Sequence, residues 1–257
     1  NKVLIRMLAN FKKKGIEIIK KHIIDFLYLI RKILTVLKKT ILPIHTSKPP
    51  LSPYDRHLND QIDLCYKTFQ NYFKKTIFIE QKKIHEFIIK RAKENDKDNT
   101  KLYAEFGVWK GTSVNYFSKF VNKIYAFDSF EGLREDWIGH EYAKGHFDLG
   151  KKLPKLNENV IPVVGWIQDT LKPFLKENKL EINFLHLDVD TYESTKFILE
   201  NTKPYMSKNS IILFDELYNH IGWDTGEYKA LKEIYKEDEF EFICFAKDGE
   251  QAAIRII

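Results

Sequence analysis

From Leu102 onward the chain alternates short apolar runs with amphipathic segments. Leu102–Phe106, Lys123–Phe127, Val160–Val164, Ile182–Leu187, Ile211–Phe214 and Phe240–Phe245 have the length and apolar density of strands, and Gln251–Ile257 reads as a last one. Helical spacing falls between them at 113–120, 168–178, 192–203 and 225–236. Near-continuous apolar strands alternating with helices predict an α/β fold, a doubly wound, mostly parallel seven-stranded sheet with helices on both faces. Two strands after the last helix leave room for an antiparallel edge hairpin.

Upstream the rhythm is different. Residues 56–95 are patterned as helix, with Leu64, Phe69, Phe73, Phe78, Ile84, Phe87 and Ile88 at inward positions, and 94–100 form a polar loop. Residues 43–54 hold four prolines in twelve positions and are expected to be a linker. Residues 1–42 read as one or two helices in which Ile18, Ile19, His22, Ile23, Phe26, Leu27, Ile30, Ile33, Leu34 and Leu37 recur at helical spacing among lysines and arginines. The expected organisation is a basic helical extension with its linker (1–55) and one catalytic unit (56–257), made of a helical lead-in (56–101) and a core (102–257).

Charge sharpens this division. The net charge is +6, but residues 1–40 carry eleven Lys/Arg against Glu17 and Asp25, leaving −3 for the remainder. A mildly acidic core argues against a nucleic-acid partner. Within residues 1–42 no uncharged run is longer than five residues (Phe26–Ile30 is one), far short of the roughly 20 apolar residues of a membrane span. A basic amphipathic helix lying in the membrane surface and a helix packed on protein, including self-association, both remain open for 1–42. Cys65 and Cys244 are far apart and form no CxxC pair, which fits a reducing, cytoplasmic compartment, with the inner membrane face as a variant of that location.

In an open parallel sheet, ligands bind beyond the carboxyl ends of the strands, so the residues just after each strand carry the chemistry. The first strand runs into Glu105-Phe-Gly-Val-Trp-Lys-Gly-Thr-Ser113, where Gly107 and Gly111 permit a tight turn and close approach to a ligand. Neither GxGxxG nor a GKT/S loop is present, which excludes nucleoside triphosphate hydrolysis. Asp128, at the end of the second strand, suits a bidentate acceptor for ribose hydroxyls, and Glu105 suits an ammonium group. Asp188, Asp190, Asp215 and Glu216 then gather at neighbouring strand mouths. Carboxylates without basic partners repel one another unless a hard divalent cation neutralises them, which points to Mg²⁺. Asp190 is expected to cap a helix or to support the metal ligands from behind.

Taken together, Glu105–Ser113, Phe127-Asp-Ser-Phe-Glu-Gly-Leu133, Val164-Gly-Trp-Ile-Gln-Asp-Thr-Leu171, Leu187-Asp-Val-Asp-Thr-Tyr-Glu-Ser-Thr195 and Phe214-Asp-Glu216 resemble the macrocin O-methyltransferase (TylF-like) family. The likeness runs over 102–257. It implies a class I, Rossmann-like methyltransferase that uses S-adenosylmethionine and Mg²⁺ to methylate a sugar hydroxyl. It places Glu105, Gly107 and Gly111 at the methionine end of the cofactor, Asp128 and Ser129 at the ribose, Gly165 and Trp166 at the adenine, and the metal on Asp188, Asp215 and Glu216. Glu216 departs from the family's usual second aspartate. The proton acceptor is sought first in 133–157, with His146 ahead of His140, and then at His220, with Asp188 as part of the catalytic centre. The expected acceptor is a sugar or nucleotide sugar in surface polysaccharide or glycan biosynthesis, and the expected assembly a homo-oligomer. A catechol-type O-methyltransferase and a non-catalytic assembly protein recruited to a membrane remain as alternatives.

Overall fold

The computed structural model describes residues 19–37 and 50–257; the expectations for 1–18 and 38–49 lie outside the described residues. The chain divides into two units, Asn1–Ser52 and Pro53–Ile257. In the first, residues 19–37 form helix α1. No described helix is long and apolar enough to cross a membrane.

The second unit begins with α2 (Pro53–Phe73), so helix replaces the expected linker from Pro53 onward. Proline is favourable there, because the first helical N–H has no partner inside the helix. The lead-in is not helical throughout: β1 (Ile77–Ile79) separates α2 from α3 (Gln81–Glu94). There follow β2 (Leu102–Phe106), α4 (Thr112–Phe117), β3 (Ile124–Asp128), β4 (Val160–Val164), α5 (Ile167–Asn178), β5 (Ile182–Leu187), α6 (Tyr192–Thr202), β6 (Met206–Phe214), α7 (Glu227–Ile234), β7 (Phe240–Ala246) and β8 (Ala252–Ile256).

The sheet is mostly parallel and has eight strands rather than seven, in the order β1-β7-β8-β6-β5-β2-β3-β4. Only β8 is antiparallel to its neighbours, β6 and β7. The hairpin is therefore not an edge, because β1 pairs with β7 in parallel outside it. Both true edges are blunted: β1 has three residues, and β4 carries Pro162, which a central strand would not tolerate. β2, flanked by β3 and β5, is where the winding reverses.

Alternation along β2 sends Leu102, Ala104 and Phe106 to one apolar layer and Tyr103 to the other. Phe69 of α2 is fully buried in the first layer, with its ring 4.9 Å from Tyr228, 5.3 Å from Trp223 and 5.6 Å from Phe245. Leu64 and Phe78, expected inside, are exposed: Leu64 lies on the outer side of α2 and Phe78 on the three-residue edge strand.

Candidate active site at the carboxyl ends of the strands

The switch point opens a cavity of about 260 Å³ lined by Gly107, Asp128, Ser129, Trp166, Asp188 and Asp190, among others. Its floor is the turn after β2. Gly107 has φ +82°, and a Cβ there would lie 1.6 Å from the Asp188 carbonyl oxygen, so this position admits no side chain. Asp128 locks the turn: Oδ2 accepts from Val108 N (2.7 Å) and Trp109 N (2.8 Å), while Oδ1 accepts from Phe130 N (2.7 Å). Three bonds leave part of a carboxylate's acceptor capacity free, so the side chain that fixes the turn also faces the cavity. Opposite, Arg134 lies 5.4 Å over the Trp166 ring and donates to Gln168 Oε1 at 2.9 Å.

Gly111 and Gly165 are not in the cavity wall. Gly111 is the left-handed residue that starts α4, and Gly165 (φ +137°) turns the chain into Trp166. Glu105 is fully buried and belongs to the layer opposite Phe106. Its Oε1 accepts from Ser113 Oγ (2.9 Å), and its Oε2 lies 3.1 Å from Nδ1 of His186. His186 Nε2 in turn lies 3.3 Å from Asp215 Oδ1. Burial opposes charge on this imidazole, yet its bonds to Asp215 and Glu105 hold its pKa well above the ordinary value. Burial raises the Glu105 carboxyl, partly offset by His186. A carboxylate–imidazole–carboxylate chain thus runs under the floor to the acid cluster. In the sequence His186 is legible only as part of a strand, and a histidine within an apolar strand is the one signal that marks it.

Asp188, Asp215 and Glu216 offer ligand atoms that all lie within 4.8 Å of one another. Asp188 also lines the cavity, so the cluster and the cavity adjoin. Burial and the Asp215 charge push both Asp188 and Glu216 well up. Burial also acts on Asp215, but hydrogen bonds from His186 and from Gln251 bring it down to about 2. Glu216 Oε2 is buried and has no partner. Glu227, which sequence reading passed over, adds a further buried carboxylate: Oε2 accepts from Glu216 N at 3.0 Å, and Oε1 has no partner. Asp190 does not cap α6, since Thr191 stands at that position. It sits at φ +60° facing the cavity, its carboxyl pushed up to about 7 by burial and the charges of Asp215 and Asp128.

The expected histidine bases are placed differently. His146 is exposed and stacks on Tyr142 at 4.3 Å; its neighbour Phe147, rather than His146, lines the cavity. The backbone explains the outward turn. Leu133 N donates to His146 O, and Gly145 N to Leu133 O, closing this segment on itself. His140 is half-buried under Trp137, with rings 3.7 Å apart, and its Nε2 is 3.3 Å from His220 Nδ1. Burial and the neighbouring imidazole lower its pKa.

Residues 104–217 match the family described as a methyltransferase domain. Among solved structures, the calicheamicin methyltransferase CalS11 is 21% identical, with 80% of this chain and 93% of that chain covered and a TM-score of 0.56. The apo structure of CalS11, described as a TDP-rhamnose 3′-O-methyltransferase of calicheamicin biosynthesis, is also 21% identical, with 80% and 95% covered and a TM-score of 0.50. No curated protein matches the chain. The fold is that of a class I methyltransferase, and the chain is an enzyme of methyl transfer, for which this class uses S-adenosylmethionine.

Proposed function

We propose that the enzyme is an S-adenosylmethionine- and Mg²⁺-dependent O-methyltransferase that acts on a sugar hydroxyl. The observation that carries this reading is the junction at Asp188, which borders the nucleoside-sized cavity on one side and belongs to the acid cluster on the other. CalS11's description as a nucleotide-sugar O-methyltransferase supports a sugar acceptor. A nucleotide sugar or glycan destined for surface polysaccharide, a cytoplasmic location, a membrane-facing or self-associating role for 1–42 and a homo-oligomeric state belong to the same proposal.

The residues present fit both groups. Asp128, Ser129 and Trp166 line the cavity, where the first two would take a ribose and the third would border an adenine, across a turn that Gly107 keeps open. The clustered carboxylates Asp188, Asp215 and Glu216 are hard oxygen donors, and the unpartnered Glu216 Oε2 calls for a cation. When bound, Mg²⁺ would supply Lewis acidity to a substrate hydroxyl, and S-adenosylmethionine an activated methyl group with a neutral thioether as leaving group. The chain's own contribution is positioning and proton removal. His186 holds Asp215 in place, and Glu105 holds His186. We assign the proton to Asp190, which faces the cavity beside the cluster, instead of to the exposed His146.

Calorimetric titration of S-adenosylmethionine, followed by methyl-transfer assays on a panel of nucleotide sugars with and without Mg²⁺, tests the proposal. Binding with Mg²⁺-dependent turnover is expected. Binding with metal-independent turnover would remove the metal from the proposal, and absence of binding would overturn it.

A further inference from the structure

Away from the acid trio, a second set of donors converges from three separate segments: His140 between β3 and β4, His220 in the loop after β6, and Glu250 in the β7–β8 turn. Their ligand atoms lie within 4.8 Å of one another, and all three residues are half-buried. His140 Nε2 and His220 Nδ1 are 3.3 Å apart. Two imidazole nitrogens on one tetrahedral Zn²⁺, each at about 2.0–2.1 Å, stand about 3.3–3.4 Å apart. The other ring nitrogen of His220 faces the Glu216 carbonyl oxygen at 3.0 Å. With the proton on that nitrogen, Nδ1 is left as a metal donor, the arrangement usual for a metal-binding histidine. The Ile221 carbonyl oxygen, 3.0 Å from the same Nδ1, is a nearby fourth donor.

The backbone holds these groups ready. Trp137 stacks on His140 and fixes its ring. Leu217 N and Tyr218 N both reach the Glu250 carbonyl, at 3.0 and 3.3 Å, which ties the loop bearing His220 to the turn bearing Glu250. A Cβ on Gly139 would lie 2.1 Å from Ile221 O, so the His140 segment rests directly on the His220 loop only because residue 139 is glycine. Two imidazoles and one carboxylate suit a borderline transition cation, whereas the all-oxygen trio suits Mg²⁺.

We propose that His140, His220 and Glu250 form a second metal site, selective for Zn²⁺-like cations, that clamps the 133–150 segment beside the active site. The proposal does not depend on the identity of the methyl acceptor. The full-length protein is stripped with chelator, returned to excess Mg²⁺ to fill the oxygen site, and titrated with Co²⁺ while visible d–d absorption is read. Wild type and Asp188→Asn are expected to take up a single Co²⁺ with tetrahedral-type absorption. His140→Ala and His220→Asn lose that absorption and bind Co²⁺ at least about tenfold more weakly. Zn²⁺ raises the thermal midpoint of the wild type and not of these two variants. Should His220→Asn fail to fold, His140→Ala decides alone, because its side chain lies on the overlying segment. Co²⁺ uptake that Mg²⁺ abolishes, or absorption that survives both histidine substitutions, overturns the site and leaves a plain hydrogen-bonded contact between the two imidazoles.

Discussion

Glu216→Gln should stabilise the metal-free protein at neutral pH while abolishing its response to Mg²⁺. Glu216 is buried with Oε2 unpartnered, and its carboxyl atoms lie within 4.8 Å of those of Asp188 and Asp215. Two unit charges at that distance and an effective dielectric of 20 repel by about 3.5 kcal/mol. Burial first, and this repulsion second, push Glu216 and Asp188 well above the usual carboxylate range, so the cluster relieves part of the repulsion by holding protons. A carboxyl raised in the folded state binds more protons folded than unfolded. Its effect on stability is therefore most favourable below the unfolded value of 4.5, and is lost as pH rises from there through the folded pKa. Asp215 works the other way. Held at about 2, it stabilises above its unfolded 3.8, and that contribution fades as pH falls toward 2.

Gln keeps the shape of Glu216 and removes the charge. The gain should be about 1–3 kcal/mol at pH 8, which for a unit of this size raises Tm by roughly 3–10 °C, and it should vanish near pH 4. Adding Mg²⁺ should raise Tm of the wild type by mass action and leave Glu216→Gln nearly unmoved. Thermal scans from pH 4 to pH 8, with and without Mg²⁺, read all of this. A variant less stable than wild type at pH 8, yet still stabilised by Mg²⁺, would refute the account of the cluster as mutually repelling metal ligands.

Gly107→Ala places a methyl group 1.6 Å from the Asp188 carbonyl oxygen at φ +82°, so the turn or the end of β5 must shift. S-adenosylmethionine binding measured by calorimetry should be lost, with Tm lowered by a cost of at least about 1–2 kcal/mol from the left-handed backbone alone. Asp190→Asn should cut kcat by about 10²–10⁴-fold while cofactor affinity changes little; steady-state kinetics and calorimetry together separate the two, and an unchanged kcat would return the search to the histidines. Phe69→Ala opens a hole among Trp223, Tyr228 and Phe245 and should cost about 3–5 kcal/mol in denaturant unfolding, with the cofactor cavity untouched.

The central strands were legible because a parallel strand buried on both faces is a plain apolar run. β2 and β5 fall where the pattern puts them. β1 was not legible: three residues continue the helical spacing of their neighbours, and only pairing with β7, more than 160 residues away, makes Ile77–Ile79 a strand. The same distinction runs through the site. Asp128, Asp188 and Asp215 could be found because strand ends in this topology must converge, and each stands at or just beyond one. Glu227 could not, because it joins the cluster only when α7 packs back so that its Oε2 meets Glu216 N.

Residues 133–157 show the opposite failure, in which chemistry was visible and direction was not. His140 and His146 both stand out in a stretch without periodicity, but nothing in the sequence says which way an irregular segment turns. The structure turns it by backbone bonds between Leu133, Gly145 and His146 and by the contact of Gly139 with Ile221. His146 is thereby left in solvent, and His140 is brought onto His220. A base must reach the atom it deprotonates before its pKa matters. By that order of argument Asp190, just beyond β5 and facing the cavity, is the proposed base in place of the more conspicuous histidine.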